Sequence, residues 1–480
     1  MKRIASILFA SVVAIGALMA RNRSLKDIQQ DFVDLRFGMF IHYNIPTYTP
    51  EDWPDPDAPE ALFNPSKLDC RQWALAAKSA NMTYGCLTTK HHSGFCIWDT
   101  ATTDYNVMNS PYGKDVVRQF VDAFRAEGLE VMLYYSILDT HHRLRPGYIV
   151  PEHVDMVKAQ LRELLTGYGK ISAIIIDGWD APWSRISYDE IPFEEIYALV
   201  KELQPECLLM DLNAAKYPAE GMFYTDIKSY EQNAGQHISK ETNTLPALSC
   251  MPIQKTWFWK EYMPYTPVKD PRMIVEDNIR PMKDVFCNFI LNVAPNRDGL
   301  MDENALEALK QIGKLWKKEK DLPVLGDVPL PFVSSNLAKG KRVESSWSYD
   351  CNIMDLANDD SFRTEWISHP LVENPFLTVF LGSEQAVNAV SVTQGARMYG
   401  IKDYYLEYRR AGQWHPLAEG HDEGRVKILR FPAVVADAIR INIRSSKGTT
   451  TGTAASGSED VSGASFVSIA EIGIYNERSF

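Results

Sequence analysis

Between about residues 30 and 320, short runs of β-branched and aromatic residues alternate with stretches whose apolar positions recur every three or four residues. The runs are RFGMFIHY (36–43), MTYGCLTTK (82–90), LEVMLYYS (129–136), ISAIIIDG (171–178), ECLLMDL (206–212) and VFCNFILNV (285–293). Between them lie DCRQWALAAKSA, KDVVRQFVDAFRAEG, PEHVDMVKAQLRELLTGYG and PFEEIYALVKELQPE, each with one apolar face. Pro151 in the first turn of the third, with Gly167 and Gly169 near its end, marks that stretch as a helix. Alternating strands and helices imply stacked βαβ units and a parallel sheet. The expected fold class is α/β, a (β/α) TIM-like barrel. A doubly wound open sheet is the rival, but no Gly-rich phosphate fingerprint follows any of these strands.

The pattern changes near Leu322 to Gly340, where DLPVLGDVPLP concentrates Pro and Gly. Beyond it FLTVFLG, VNAVSVTQG, YYLEYRRAGQW, VKILRF, AIRINIR and FVSIAEIGIY alternate with turn residues, which predicts an antiparallel β-sandwich of jelly-roll type. The Ser/Thr/Gly-rich stretch 447–465 reads as a loop within it. The expected organisation is a leader over 1–20, a barrel over 21–335 and a sandwich over 340–480.

The leader reading rests on Lys2 and Arg3, a short apolar run, and a small residue at Ala20, the pattern of a secretory signal peptide. It implies export to the periplasm or the medium. No second apolar run long enough to span a bilayer follows, so no membrane span is expected. The formal charge is −12, and cleavage removes Lys2 and Arg3 as well. Such a balance excludes nucleic acid as a partner, because phosphate recognition needs a basic face. The seven cysteines are odd in number and lack metal-type spacing, so they read as buried thiols.

Polar residues cluster where the predicted strands stop: His42, Lys90 to His92, Ser136 to Asp139, Asp177, Asp211 and Asn292. A barrel gathers such positions on one face. Asp177 follows the apolar run ISAIII, and a carboxylate there is costly unless it is used or paired. A helix cap or structural ion pair is the plainer alternative. His91 and His92 suggest a metal pair, but adjacent imidazoles project differently and no third ligand stands at a suitable spacing. Recognition of hydroxyl groups suits them better, since neutral imidazole both donates and accepts. The aromatics Tyr43, Trp53, Trp98, Tyr135, Trp179, Trp257, Phe258 and Trp259 supply either core or the apolar walls of a pocket.

Taken in order, these segments resemble the family 29 glycoside hydrolases, the α-L-fucosidases. RFGMFIHYNIPTY resembles the first-strand motif, TTKHHSGFCIWDTATTDYNV the double-histidine motif, and GLEVMLYYSILD the strand ending in Tyr-Ser. QLRELLTGYGKISAIIIDG resembles the nucleophile segment, and NFILNVAPNRDGLMDE the closing segment. LPALSCMPIQKTW departs from the family pattern at Ala247 and Leu248, and IIIDG lacks the usual aromatic before the nucleophile. The region after 340 resembles a discoidin-like, coagulation factor type C domain, with SSWSYDCNIMDLANDDSFRTEW and SIAEIGIY in the expected order.

The resemblance implies an exo-acting, retaining α-L-fucosidase acting on fucosylated oligosaccharides or glycoconjugates. It implies that Asp177 is the nucleophile, that His42, His91, His92, Tyr135 and Trp179 shape the sugar pocket, that Glu51 and Trp53 enter it from the loop after the first strand, and that Trp257 enters from KTWFWKE. Retention through a sugar ester needs a second carboxyl group to protonate the leaving oxygen and then activate water. Glu231 in DIKSYEQNAG is the first choice, with Glu220 and Glu241 in reserve. No organic cofactor or catalytic metal is required; the C-terminal domain is given either a structural Ca²⁺ around Asn358 to Thr364 or none. The acid- and Pro-rich loop Glu51 to Pro59 and the appended sandwich favour branched α-1,3/1,4 linkages. A glycan-binding protein without turnover is the rival, prompted by the altered LPALSC stretch.

Overall fold

The computed structural model describes residues 23–395, 400–421, 424–447 and 466–478. The leader at 1–20 and nearly all of the stretch 447–465 lie outside the described residues. Two compact units are present: 1–215 with 224–331, and 216–223 with 332–480.

The first unit contains eight parallel strands: β1 (Phe37–Ile41), β2 (Tyr84–Lys90), β3 (Glu130–Ser136), β4 (Ala173–Asp177), β5 (Leu208–Asp211), β6 (Lys228–Glu231), β7 (Ala247–Pro252) and β8 (Cys287–Asn292). Their order is β5-β4-β3-β2-β1-β8-β7-β6, a nearly closed barrel. The six apolar runs all form strands. β6 and β7 were not anticipated, because KSYE is short and polar and ALSCMP ends in proline. The seam between β5 and β6 is bridged by Asp226, whose N–H donates to the Leu209 carbonyl at 2.8 Å while its carboxylate accepts the Leu209 N–H at 2.9 Å. Lys201 and Tyr197 donate to that same carboxylate, which makes its burial tolerable.

Helices α1 (Leu25–Leu35), α2 (Cys70–Ser79), α3 (Val116–Ala126), α4 (Pro151–Gly167), α5 (Phe193–Leu203) and α6 (Glu303–Leu315) surround the strands. Helix α1 starts with a capping box in which Ser24 and Asp27 satisfy each other's backbone N–H, and it buries Phe32 and Val33 against the barrel core. Among the described residues only 3₁₀ turns link β5 to β6 and β6 to β7, so the strict alternation ends after β5.

Strand parity decides which side chains point inward. The inner core takes Phe40, Tyr84 and Cys86, Met132 and Tyr134, Ala173 and Ile175, Leu208 and Met210, Leu248 and Cys250, and Ile290. Gly38 belongs to the same face: a Cβ there would fall 2.2 Å from the Tyr84 ring. Extending that parity to the carboxyl ends puts His42, Asp177 and Asn292 on the inside. Leu248, one of the departures from the family pattern, is a core residue.

The second unit is antiparallel. Strands β11 (Phe376–Thr393), β12 (Gly400–Arg410), β13 (Gln413–His421), β14 (Val426–Lys447) and β16 (Glu471–Tyr475) are ordered β13-β12-β14-β11-β16, with β9 (Val343–Ser345) also on β11. Strand β10 (Trp366–Ile367) pairs with β15 (Ser468–Ile469). Alternate residues such as Leu377, Val379, Ile439, Ile441, Ile472 and Ile474 form its core with Trp366. Six cysteines are buried as free thiols, while Cys351 is exposed. No helix among the described residues is long and apolar enough to cross a membrane.

Candidate active site

A cavity of about 290 Å³ opens at the carboxyl ends of the barrel strands. His42, Asp52 and Trp53 line it from β1 and its loop, His91 and His92 from β2, Tyr134 from β3, and Asp177 and Trp183 from β4 and its loop. Leu212, Glu231, Trp257 and Phe258 complete the far wall, and Phe40 lies among the lining residues from β1. The volume suits one sugar ring, with aromatic walls and convergent polar groups.

Asp177 ends β4 because Gly178 takes φ 115°, where a Cβ would fall 2.9 Å from Ile137. Its carboxylate accepts from the Tyr134 hydroxyl on Oδ2 at 2.6 Å and from the Asn213 amide on Oδ1 at 2.9 Å. Burial raises its pKa above the ordinary aspartate value, and hydrogen bonds from Tyr134, Asn213 and the Gly178 N–H oppose that rise. Among the described residues no Lys or Arg pairs with it; His92 Nε2 stands 3.8 Å from Oδ2.

The three imidazoles are held as neutral rings. His42 donates from Nδ1 to Asn292 Oδ1 at 2.8 Å, and the Asn292 amide donates onward to the Trp257 carbonyl. The His42 N–H also donates to Asn292 Oδ1, which fixes the amide orientation. Ser136 donates its hydroxyl hydrogen to the Leu138 carbonyl and therefore accepts from His92 Nδ1 at 2.8 Å. Both rings thus keep a bare Nε2 as a hydrogen-bond acceptor. Burial pushes His42 and His92 down to about 3, opposed at His42 by the Asn292 bond and aided at His92 by His42. Burial also drives His91 well down, with His92 and His42 adding to the effect, and its Nδ1 has no partner among the described residues.

Glu231 ends β6 and faces the same cavity. Burial, then the charge of Asp177, pushes its carboxyl up to about 7, against a hydrogen bond from Trp257. Two carboxyl groups with separated ionisation therefore share one pocket, the arrangement that gives one group the role of anion and the other that of proton donor.

Other side chains anticipated from the sequence lie elsewhere. Tyr135 has the opposite strand parity from Tyr134: its hydroxyl receives Lys90 Nζ and donates to Gln160, outside the cavity. Trp179 is fully buried with its indole N–H on the Ile191 carbonyl, and Trp183 lines the pocket instead. Glu51 is exposed and contributes only its carbonyl to Lys260, whereas its neighbour Asp52 lines the cavity. Glu220 stands beside Arg425 in the second unit, and Glu241 is exposed; neither lines the cavity. His42, Trp53, His91, His92, Asp177, Glu231 and Trp257 are brought together. Sequence reasoning missed Asn213 and Lys260. The first sits two residues past a strand-end Asp, and the second lies in the same KTWFWKE segment as Trp257.

The candidate calcium turn is Asn358 to Thr364. Asp359 accepts from Thr364 and the Ser361 N–H, and Asp360 takes Lys339 Nζ at 2.7 Å. No group of three or more His, Cys, Asp or Glu side chains suited to a metal ion occurs among the described residues. Lys339 and the turn's own donors hold these carboxylates, and the Asp360 N–H donates to the buried Glu471, whose carboxyl is pushed up to about 9 by burial and then by the charges of Asp360 and Asp359.

A family profile described as alpha-L-fucosidase matches residues 56–321, and one described as F5/8 type C domain matches 340–459. Alpha-L-fucosidase 1 of Arabidopsis thaliana is 26% identical over 435 residues, covering 83% of this chain and 80% of the plant protein. The tissue alpha-L-fucosidase of Homo sapiens is 23% identical, covering 59% and 66%. The structure of alpha-L-fucosidase isoenzyme 1 from Paenibacillus thiaminolyticus superposes with a TM-score of 0.54 at 22% identity, covering 88% of this chain and 100% of that one. A glycoside hydrolase 29 family member from an unknown rumen bacterium gives 0.50 at 25% identity, covering 95% and 77%.

Proposed function

We propose, from the premise that this chain belongs to the alpha-L-fucosidase family of glycoside hydrolases, that it releases L-fucose with retention of configuration through a covalent ester on Asp177. The observation that supports this most is the pairing of an Asp177 carboxylate, with a donor on each oxygen, and a Glu231 carboxyl raised to about 7 in the same cavity. Above the range in which Asp177 protonates and below about 7, one group is an anion and the other an acid.

In the first step an Asp177 oxygen bonds to the anomeric carbon, the bond from that carbon to the leaving oxygen breaks, and Glu231 gives that oxygen its proton. In the second, Glu231 takes a proton from water, the water oxygen bonds to the anomeric carbon, and Asp177 leaves as carboxylate. The bare Nε2 atoms of His42 and His92 accept sugar hydroxyls, and the Trp53, Trp257 and Phe258 rings cover apolar faces of the sugar. Proton NMR of the first anomer released tests retention. Initial α-L-fucose supports it, and initial β-L-fucose means inversion.

The substrates proposed are branched α-1,3/1,4-fucosylated glycans, because Asp52 and Trp53 of the acid- and Pro-rich loop border the cavity. Comparing kcat/KM on α-1,3/1,4- and α-1,2-fucosylated trisaccharides tests this, and a preference for α-1,2 overturns it. Binding of these sugars without turnover would instead support the glycan-binding alternative. Export follows from the leader pattern at residues 1–20; periplasmic or extracellular activity in an expressing cell supports it, and activity confined to the cytosol overturns it.

A carbohydrate-binding role for the second unit is favoured by Trp347, whose indole is 63% exposed and stacks on His369 at 3.6 Å with 3° between planes. A flat, rigid exposed ring is what a pyranose face packs against. Weaker retention of the full-length Trp347→Ala variant on immobilised fucosylated glycans supports this role, and unchanged retention removes it.

A further inference from the structure

Asp177 has no cationic partner among the described residues, so neutral donors alone hold it as an anion in a buried site. Tyr134 supplies one. The Gly178 N–H supplies a second, and the third, Asn213, is half-buried in the loop after β5 and lies outside the set of cavity-lining residues. Its amide donates to Asp177 Oδ1 at 2.9 Å, while its backbone N–H donates to Asp211 Oδ1 at 2.9 Å. Asp211 is fully buried, and its Oδ2 accepts the Tyr188 hydroxyl at 2.6 Å. The Asp211 N–H is held by Thr225 Oγ1, and the Leu212 N–H by the Ile176 carbonyl just before the nucleophile. Five linked bonds thus fix where the Asn213 amide stands.

We propose that Asp211 and Asn213 form a positioning pair for the nucleophile, Asp211 anchoring the turn after β5 so that the Asn213 amide stays on Asp177 Oδ1. This rests on the reading of Asp177 as the nucleophile. The orientation of the Asn213 amide follows from charge, since turning its oxygen toward the carboxylate would set two acceptors against each other. The groups that face Asp211 are the Tyr188 hydroxyl, the Asn213 N–H and amide, and the Asp177 carboxylate. Burial pushes Asp211 up to about 8, opposed by Tyr188 and Asn213 and reinforced by Asp177. Asp211 is therefore protonated over most of the working range, sharing a hydrogen with the Tyr188 hydroxyl on Oδ2 while Oδ1 still accepts the Asn213 N–H, and it adds little negative charge beside the nucleophile. Those facing Asp177 are Tyr134, Asn213, the Gly178 N–H, His92, Glu231 and Asp211 itself.

The test is the pH profile of kcat/KM on 4-nitrophenyl α-L-fucoside for the full chain and its variants, with the inhibition constant of L-fucose and Tm alongside. Wild-type turnover tests the underlying reading, and its absence refutes that reading rather than the pair. Given turnover, Asn213→Ala should lower kcat/KM roughly ten- to hundred-fold, the range for losing a hydrogen bond to a charged group. Its acidic limb should move upward, with L-fucose inhibition changed less than about threefold. Asn213→Asp should move that limb further, by placing a carboxyl beside the nucleophile. Asp211→Asn keeps an acceptor for the Asn213 N–H and should retain the wild-type limb. An unmoved limb in Asn213→Ala overturns the proposal. So does a downward shift in Asp211→Asn, which would mean that Asp211 acts by its charge.

Discussion

The Tyr134 hydroxyl donates to Asp177 Oδ2 at 2.6 Å from the neighbouring strand, where β3 and β4 run in register with Ser136 opposite Asp177. A hydrogen bond to a buried carboxylate is worth about 1.5–3 kcal/mol, or roughly ten- to hundredfold in rate. Tyr134→Phe should lower kcat/KM by that amount and shift the acidic limb upward, with Tm unchanged within a few degrees. An activity profile identical to wild type would show that the bond does not serve the reaction.

The pH dependence of the wild type follows from the two carboxyls. Asp177 must be ionised, and burial raises its pKa, so kcat/KM should fall on acidification at a pH above the ordinary aspartate range of about 3.9. Glu231 must be protonated, so activity should fall again as pH rises through about 7. Glu231→Gln should lose the basic limb. Azide, a nucleophile that needs no general base, should restore its turnover of an activated aryl fucoside and appear in the product. A basic limb that persists in Glu231→Gln assigns it to another group.

Lys260 joins two walls of the cavity. Its ammonium donates to the carbonyls of Pro46 and Glu51 and lies 2.9 Å from Asp52 Oδ1, while Trp257 and Phe258 precede it by two or three residues. Lys260→Met frees the loop carrying Asp52 and Trp53 and leaves Asp52 unpaired. A KM increase of roughly tenfold, equivalent to about 1.4 kcal/mol, is expected with a smaller effect on kcat. Lys260→Arg should recover part of it. A loss confined to kcat would argue against a role in holding the sugar.

The buried ion pair Lys90–Asp139, 3.2 Å apart, underlies the double-histidine turn, where the Thr140 N–H donates to the His92 carbonyl. Burial alone would raise Asp139, but Lys90 and His142 hold it below the ordinary range; burial alone would lower Lys90, but Tyr135 and Asp139 raise it. The stabilisation from Asp139 is present above about pH 4 and is lost on further acidification. That from Lys90 is present below about pH 10 and is lost at higher pH. Tm should plateau between these limits. Lys90→Met should cost about 3–5 kcal/mol by stranding Asp139, which chemical denaturation measures.

Much of this site is legible in the sequence because a five-residue apolar strand ends in Asp177 and another ends in Lys90-His91-His92. What failed was parity. LEVMLYYS contains two adjacent tyrosines, and only the register with β4 shows that Tyr134 rather than Tyr135 faces inward. The same limit separates Asp52 from Glu51 and Trp183 from Trp179, since loop direction is set by contacts distant in sequence, such as Lys260 on residues 46–52. Strands β6 and β7 were invisible because their stability comes from pairing with neighbours rather than from an apolar run. Asn213 gave only the faint signal of lying two residues past a strand-end Asp, because its role is set by bonds to Asp177 and Asp211 that only the folded turn after β5 brings together.

The central claim is that Asp177 forms the sugar ester. Incubation with a 2-deoxy-2-fluoro-α-L-fucosyl fluoride, which forms such an ester quickly and loses it slowly, followed by peptide mass spectrometry, tests it most directly. The account predicts a fluorofucosyl adduct on Asp177, and none on the Asp177→Asn variant. An adduct on another carboxylate of an enzyme that turns over α-L-fucosides, or undiminished turnover by Asp177→Asn, would contradict it.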